Sequence, residues 1–454
     1  MKTKCFNQNQ YLIVFFLCVI LTSIVSAQPI QGAGLTILQD FGYKKMATPR
    51  TLPLLVIVAE YGERPVITHP NTYYDDLIYK STKHPSVNAF FIENSQGRFY
   101  WSRPGQGVVG KVKMPASVGR DVNDNTRPAK VIAEVMRSGF NFGFFDANND
   151  KKVTPNELAI MIIENYPSGA RRGTDPPCIK TSNSSVEVCT QVLLLGDQPS
   201  LSLLSHELSH FIEAIDLYGR WNVDDFNSGC TLMGSYRSNM ESMHLDPWHK
   251  LQFGWIEPKI HSVLSSGHYL LKSANQTNTN PAIILFDPRK GVNEYFIIEY
   301  RSPNQRVNNF TYNYDRNVCG DGLAIWHILQ KENKEPNTIP HIGGVAGITS
   351  YGVFLEGAPN LKRGGNKLFV SGTTTPLLRW LDGSMTGVGI EVEPFTSGAN
   401  EITINILPNL MNLIDATALG GTLSIPAGRY IVPKSAKITK KITLKAKEGN
   451  VTIR

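Results

Sequence analysis

The sequence predicts an α+β protein in three successive parts, on three observations. Up to about residue 258, continuous apolar runs alternate with capped segments of helical spacing. From about residue 262 the texture changes to short β-type runs broken by Gly, Pro and Asn. Residues 409–454 collect further short β runs separated by Gly, Pro and Lys. At 454 residues the chain exceeds the size at which one core usually stops growing, and 41% hydrophobic against 18% charged residues is a globular balance. The expected division is 1–27, 28–258, 259–408 and 409–454.

The elements follow in order. Lys2 and Lys4 precede the apolar run "YLIVFFLCVILTSIV", which ends in the small residues Ser26-Ala27. That order is expected of a secretory signal peptide cleaved after Ala27, and the run is short for a membrane span. No later segment is long and apolar enough to cross a bilayer, so the expectation is an exported, soluble chain. A loop-like stretch leads to about Arg50. "LPLLVIVAEYG" and "TQVLLLG" read as buried strands, and "VNAFFIENSQGRFYWS" as a helix end running into a strand. "PAKVIAEVMRSG" reads as a helix with proline in its first turn and glycine past its end. "NELAIMIIENY" and "PSLSLLSHELSHFIEAI" also read as helices. "HYLLKSA", "PAIILFD", "EYFIIEYR", "GLAIWHIL", "GVGIEVEPF" and "EITINIL" make up the β-rich module. The last segment resembles the opening coil of a right-handed parallel β-helix, as in pectin-lyase-like proteins. One or two coils cannot bury a core alone.

Cys5 and Cys18 lie in the expected signal. Cys178, Cys189, Cys230 and Cys319 remain, an even number that suits two disulfides in an oxidising compartment. Four cysteines allow three pairings, and the short loop makes Cys178 with Cys189 the least costly. The sequons at Asn183, Asn275, Asn309 and Asn450 are glycosylation candidates that fit export. The formal charge of +7 is unevenly placed, because residues 409–454 hold eight Lys/Arg against Asp415 and Glu448. Without the signal lysines the body is nearly neutral, so it offers no basic face for reading nucleic acid.

"SHELSHFIEAIDLYG" carries the chemistry. On a helix His206 and His210 are four apart and share a face, so both imidazoles can reach one zinc ion. Glu207 sits one position round, where it can act as a general base without ligating. Two buried core histidines on an ordinary helix are the plain alternative. Asp216 follows His210 by six residues, the spacing of a third ligand that returns after the helix ends sharply. In "CTLMGSY", Met233 before Gly234 suits a tight Met-turn under the metal.

These motifs, together with "DPWHKLQFGWIEP", "EYFIIEYR" and "GLAIWHI", resemble the secreted immune inhibitor A-type metalloproteases over roughly residues 50 to 330. The resemblance implies a metzincin-like zinc protease domain, zinc on His206, His210 and Asp216, and Glu207 polarising the attacking water. The implied function is a zinc metalloendopeptidase acting on protein or peptide substrates. Two positions depart from the family pattern. Glu213 stands where glycine is usual; if that turn needs a positive φ, it costs about 1 kcal/mol or more, and its carboxylate could compete with Asp216. Leu329 stands where an acidic residue would be expected. Intact His206, Glu207 and His210 favour the enzyme, whereas Glu213 favours the alternative, a non-catalytic extracellular binding or adhesion protein on a degenerate protease scaffold.

"DANNDKKVTPNE" is a candidate calcium loop. Asp146, Asn148, Asp150 and Glu157 supply side-chain oxygens, with Thr154 near the loop's end and the Lys152 carbonyl as a further ligand. Lys151 replaces the usual glycine at the sixth position. The other reading is a polar turn capping the next segment. His244, Asp246 and His249 read as packing beside the active-site wall, and His327 as a structural histidine in a strand. Tyr236 lies near enough in sequence to Met233 to be considered for an oxyanion contact.

Overall fold

A computed structural model describes residues 38–44 and 50–453 of the chain, except 81–84, 106, 121–122, 124–125, 166–170, 175, 183, 218–228, 235–242, 276–281, 305–312, 341–348, 357–367, 376–377, 426, 433–436 and 448. The expected signal peptide, the sequons at Asn183 and Asn309, and Tyr236 lie outside the described residues.

The first half runs β1 (Arg50–Tyr61), α1 (Asn71–Tyr79), α2 (Val87–Asn94), β2 (Phe99–Ser102), β3 (Val108–Met114), α3 (Thr126–Arg137), β4 (Lys152–Val153), β5 (Ala159–Glu164), β6 (Arg171–Thr174), β7 (Glu187–Val188), β8 (Val192–Gly196) and α4 (Leu201–His210). One sheet has the order β2-β1-β5-β8-β6, with β3 also on β1. All its pairings are parallel except that of the β6 edge. Central parallel strands are covered on both faces, hence the unbroken apolar run of β1. Its alternation sends Leu54, Val56 and Val58 to a core shared with α1, α2 and α4. Leu55, Ile57 and Ala59 point the other way, against Val131, Ile132 and Val135 of α3.

"NELAIMIIENY" is not the expected helix. Ala159–Glu164 is the strand next to β1, with every residue buried. An unbroken apolar run lacks the polar stripe a surface helix needs, and six residues suffice for a strand.

The short helix α5 (Pro247–Gln252) leads into the β-rich part: β9 (Lys259–Ser262), β10 (Gly267–Lys272), β11 (Ala282–Phe286), β12 (Glu294–Arg301), β13 (Gly322–Leu329), β14 (Thr338–Pro340), β15 (Thr349–Tyr351), β16 (Val353–Leu355), β17 (Val388–Val392) and β18 (Glu401–Pro408). β16-β13-β12-β11-β9 form one sheet and β10-β18-β17 another. Ile284, Tyr295, Ile297 and Trp326 face the first core, while Ile283, Phe296, Ile298 and Ile325 face Ile390, Ile404 and Ile406. The boundary expected at 258/259 therefore crosses one continuous core. The disulfide Cys230–Cys319 joins the two parts, and Cys178–Cys189 closes a loop within the first.

Beyond Pro408 the chain opens with a helix, α6 (Leu410–Ala416), where only short β runs were expected. β19 (Thr422–Ile425) and β20 (Gly428–Tyr430) then pair in parallel with β21 (Thr443–Ala446) and β22 (Val451–Ile453). Leu410, Ile414, Leu423, Ile425 and Tyr430 form a small core of their own. Among the described residues no helix is long and apolar enough to cross a membrane.

Candidate metal centre

Helix α4 starts where Ser200 accepts a hydrogen bond from the Leu203 amide at 3.2 Å. Leu204 and Leu208 anchor it in the first core. His206 and His210 then share one side, their ring centroids 5.1 Å apart.

The end of the helix is the decisive local feature. The Ala214 amide bonds back to the Ser209 carbonyl and the Glu213 amide to the His210 carbonyl, each at 3.0 Å, with Glu213 at φ 73°. This is a Schellman close, which needs a left-handed residue and usually uses glycine. Glu213 bears that conformational cost, yet its exposed carboxylate lies 3.3 Å from Lys44 Nζ, its described ion-pair partner. The turn sends the chain straight back, so Asp216 arrives over the two histidines.

There Asp216 Oδ1 lies 3.1 Å from His206 Nε2 and 3.4 Å from His210 Nε2. His206 Nδ1 is 3.0 Å from the Leu232 carbonyl and His210 Nδ1 is 2.8 Å from the Ala214 carbonyl. Carbonyls only accept, so each Nδ1 carries a proton, and a ring in its neutral form turns an Nε2 lone pair toward Asp216. Asp216 Oδ1 is buried and receives no hydrogen bond. Three electron-rich atoms thus crowd together, which calls for a positive charge between them. Burial alone would lower the His210 pKa and raise that of Asp216. The closeness of the imidazoles and the carboxylate outweighs burial, so His210 is raised and Asp216 is held well below the carboxylate range. The donor set fits zinc: ligands about 2.0–2.1 Å from a tetrahedral ion sit about 3.4 Å apart.

Glu207 is half-buried, and its charge acts on His210. Met233 is fully buried in the turn Leu232–Gly234, and its carbonyl accepts from the Leu217 amide at 2.8 Å. The turn therefore holds His206 through Leu232 and the residue after Asp216 through Met233.

Sequence reasoning assigned the His244–His249 segment to packing and missed its polar role. Asp246 caps α5 through Oδ1, and its Oδ2 binds His249 Nδ1 at 2.7 Å and the Thr231 hydroxyl at 2.9 Å. His249 Nε2 in turn accepts from the Ile215 amide at 3.1 Å. The carboxylate-histidine pair with i, i+3 spacing was the one signal in the sequence. His244 lies fully buried between Glu93 and Lys250. His327 is gripped by Glu294 and Glu356, while Leu329 is buried against Phe354.

In the candidate calcium loop, Asn149 and Lys151 take the positive φ values 59° and 64°. Asp146 accepts from the Asp150 and Lys151 amides, Asp150 from Lys152, and Glu157 from Ala147 and Thr154. Those bonds to Glu157 outweigh burial and lower its pKa. Among the described residues, the clusters of three metal-type side chains with donors within 4.8 Å are His206-His210-Asp216 and Cys178-Glu187-Cys189. The loop is not one of them, and the second cluster's sulfurs are joined in a disulfide. Asn450 is exposed. Asn275 is buried with its amide on Asn313 at 3.0 Å.

No protein-family model and no curated protein matches this chain. Among solved structures it is similar to a catalytically inactive OgpA from Akkermansia muciniphila in complex with an O-glycopeptide (glycodrosocin) substrate. That match has 11% identity, covers 65% of this chain and 94% of that chain, and has a TM-score of 0.23. An overlap this loose carries no argument about function.

Proposed function

We propose that this chain is a secreted zinc metalloendopeptidase with a metzincin-like domain of the immune inhibitor A type. One observation carries the reading: a buried carboxylate oxygen without a hydrogen bond faces two imidazole lone pairs at 3.1 and 3.4 Å. His206, His210 and Asp216 would hold the ion. Bound zinc would supply Lewis acidity, polarising the scissile carbonyl and easing deprotonation of a water. Glu207, beside the ligands but outside their set, takes the proton of the attacking water and returns it to the leaving amine nitrogen. The outward carboxylate of Glu213, beside Lys44, speaks against its competing with Asp216 for the ion. Both disulfides suit an exported chain. The parallel pairing of β19 to β22 supports a β-helix-like reading of the end segment. Calcium remains our proposal for residues 146–157, where the ion would compete with the loop's own amides for the carboxylates.

Glu207→Gln decides the matter. It should retain stoichiometric zinc and lose most hydrolysis of a casein substrate. Near-native turnover would remove Glu207 from its role as base.

A further inference from the structure

We infer that Asp246 and His249 form a positioning relay whose task is to place Asp216 as third metal ligand. The inference rests on the zinc reading above. A carboxylate only accepts, so the 2.7 Å contact puts the His249 proton on Nδ1. That tautomer leaves Nε2 with a lone pair, and the Ile215 amide donates to it at 3.1 Å. On the other side of Asp216, the Leu217 amide donates to the Met233 carbonyl at 2.8 Å. The backbone bearing the ligand is therefore held at both neighbours, by partners from one tied assembly. Thr231 locks the carboxylate by donating to Asp246 Oδ2 at 2.9 Å and accepting from the Asp246 amide at 3.0 Å. Leu232, the next residue, carries the carbonyl that orients His206. Asp246 and His249 are fully buried, so water cannot replace the contact.

The relay depends on the tautomer as well as on shape. Asp246→Asn keeps the side-chain oxygen that caps α5 but turns a donor toward His249 Nδ1. The ring proton must then move to Nε2, where it meets the Ile215 N–H donor to donor. His249→Ala deletes the contact, and His249→Gln can restore it by offering Oε1 to the amide.

The test measures zinc affinity of the full chain by chelator competition, at a temperature where circular dichroism shows each variant folded. The d–d absorption of the cobalt-loaded proteins is recorded alongside. Asp246→Asn and His249→Ala should weaken zinc binding about 10- to 100-fold and reduce the intensity of a tetrahedral cobalt band. His249→Gln should recover both toward the native values. Ile404→Val, a buried change in the second sheet core, separate from the core that anchors α4, should lower the melting temperature without altering zinc affinity. Native-like affinity in both relay variants would overturn the relay and leave the zinc site standing, as would an equal loss in Ile404→Val. A native chain that takes up no zinc would overturn the relay and the proposed function together.

Discussion

His327 should hold its proton to higher pH than a free imidazole does, and the stability it supplies should fall as pH rises. Its Nε2 lies 2.9 Å from Glu294 and its Nδ1 2.8 Å from Glu356, with the imidazole only 2% exposed. Phe296 and Phe354 pack on the ring at centroid distances of 4.4 and 4.8 Å. Burial pushes the imidazole pKa down, but hydrogen bonds and charge from Glu294 and Glu356 outweigh it, leaving the pKa raised. A raised folded value means stability that is complete below about pH 6.5, the unfolded value, and drains away up to the folded pKa. One retained proton sets the slope at about 1.4 kcal/mol per pH unit within that window. Removing the cation alone leaves two carboxylates facing a neutral residue, so His327→Gln should cost about 3–5 kcal/mol near pH 6. Urea denaturation of native and variant chains from about pH 6 to pH 9 reads the difference directly. The gap should narrow with rising pH. A gap that is flat or widens would show that His327 is neutral in the fold and refute the argument.

Asp216→Ala should lose stoichiometric zinc and hydrolysis together, checked by metal analysis beside a peptide assay; retention of both would remove it from the ligand set. Glu213→Gly should raise the denaturation midpoint by relieving about 1 kcal/mol of left-handed backbone cost, with only a weak exposed pair to Lys44 lost. Zinc content should not change, and a loss would return Glu213 to the metal. If residues 146–157 take calcium, millimolar calcium should raise the melting temperature by mass action on the folded state. Asp146→Ala with Glu157→Ala should abolish that shift, and a native melt indifferent to calcium would leave a polar turn.

Much of the candidate metal centre was legible because its proposed ligands are local. His206 and His210 meet through helical periodicity alone, and Asp216 follows within one turn of chain. The family resemblance puts glycine where Glu213 stands, and the φ of 73° there is the left-handed close that glycine normally serves. The strands of the β-rich part were legible for the same reason, each being a short run bounded by breakers.

Tertiary structure decided what local spacing leaves open. The run "LAIMIIE" has no period, so only its place beside β1 made it a strand. Asn275 carries a sequon that sequence cannot know is buried. That the Glu213 carboxylate turns outward beside Lys44, far away in the chain, while Asp216 meets the two histidines is visible only in the fold. The carbonyl orienting His206 comes from 26 residues along, and the imidazole holding Ile215 from 34. Local sequence determines which side chains could ligate, because helix and turn geometry act over a few residues. Folding decides which hydrogen bonds hold those side chains in place, because in a buried site each donor must find an acceptor from whatever element packs against it.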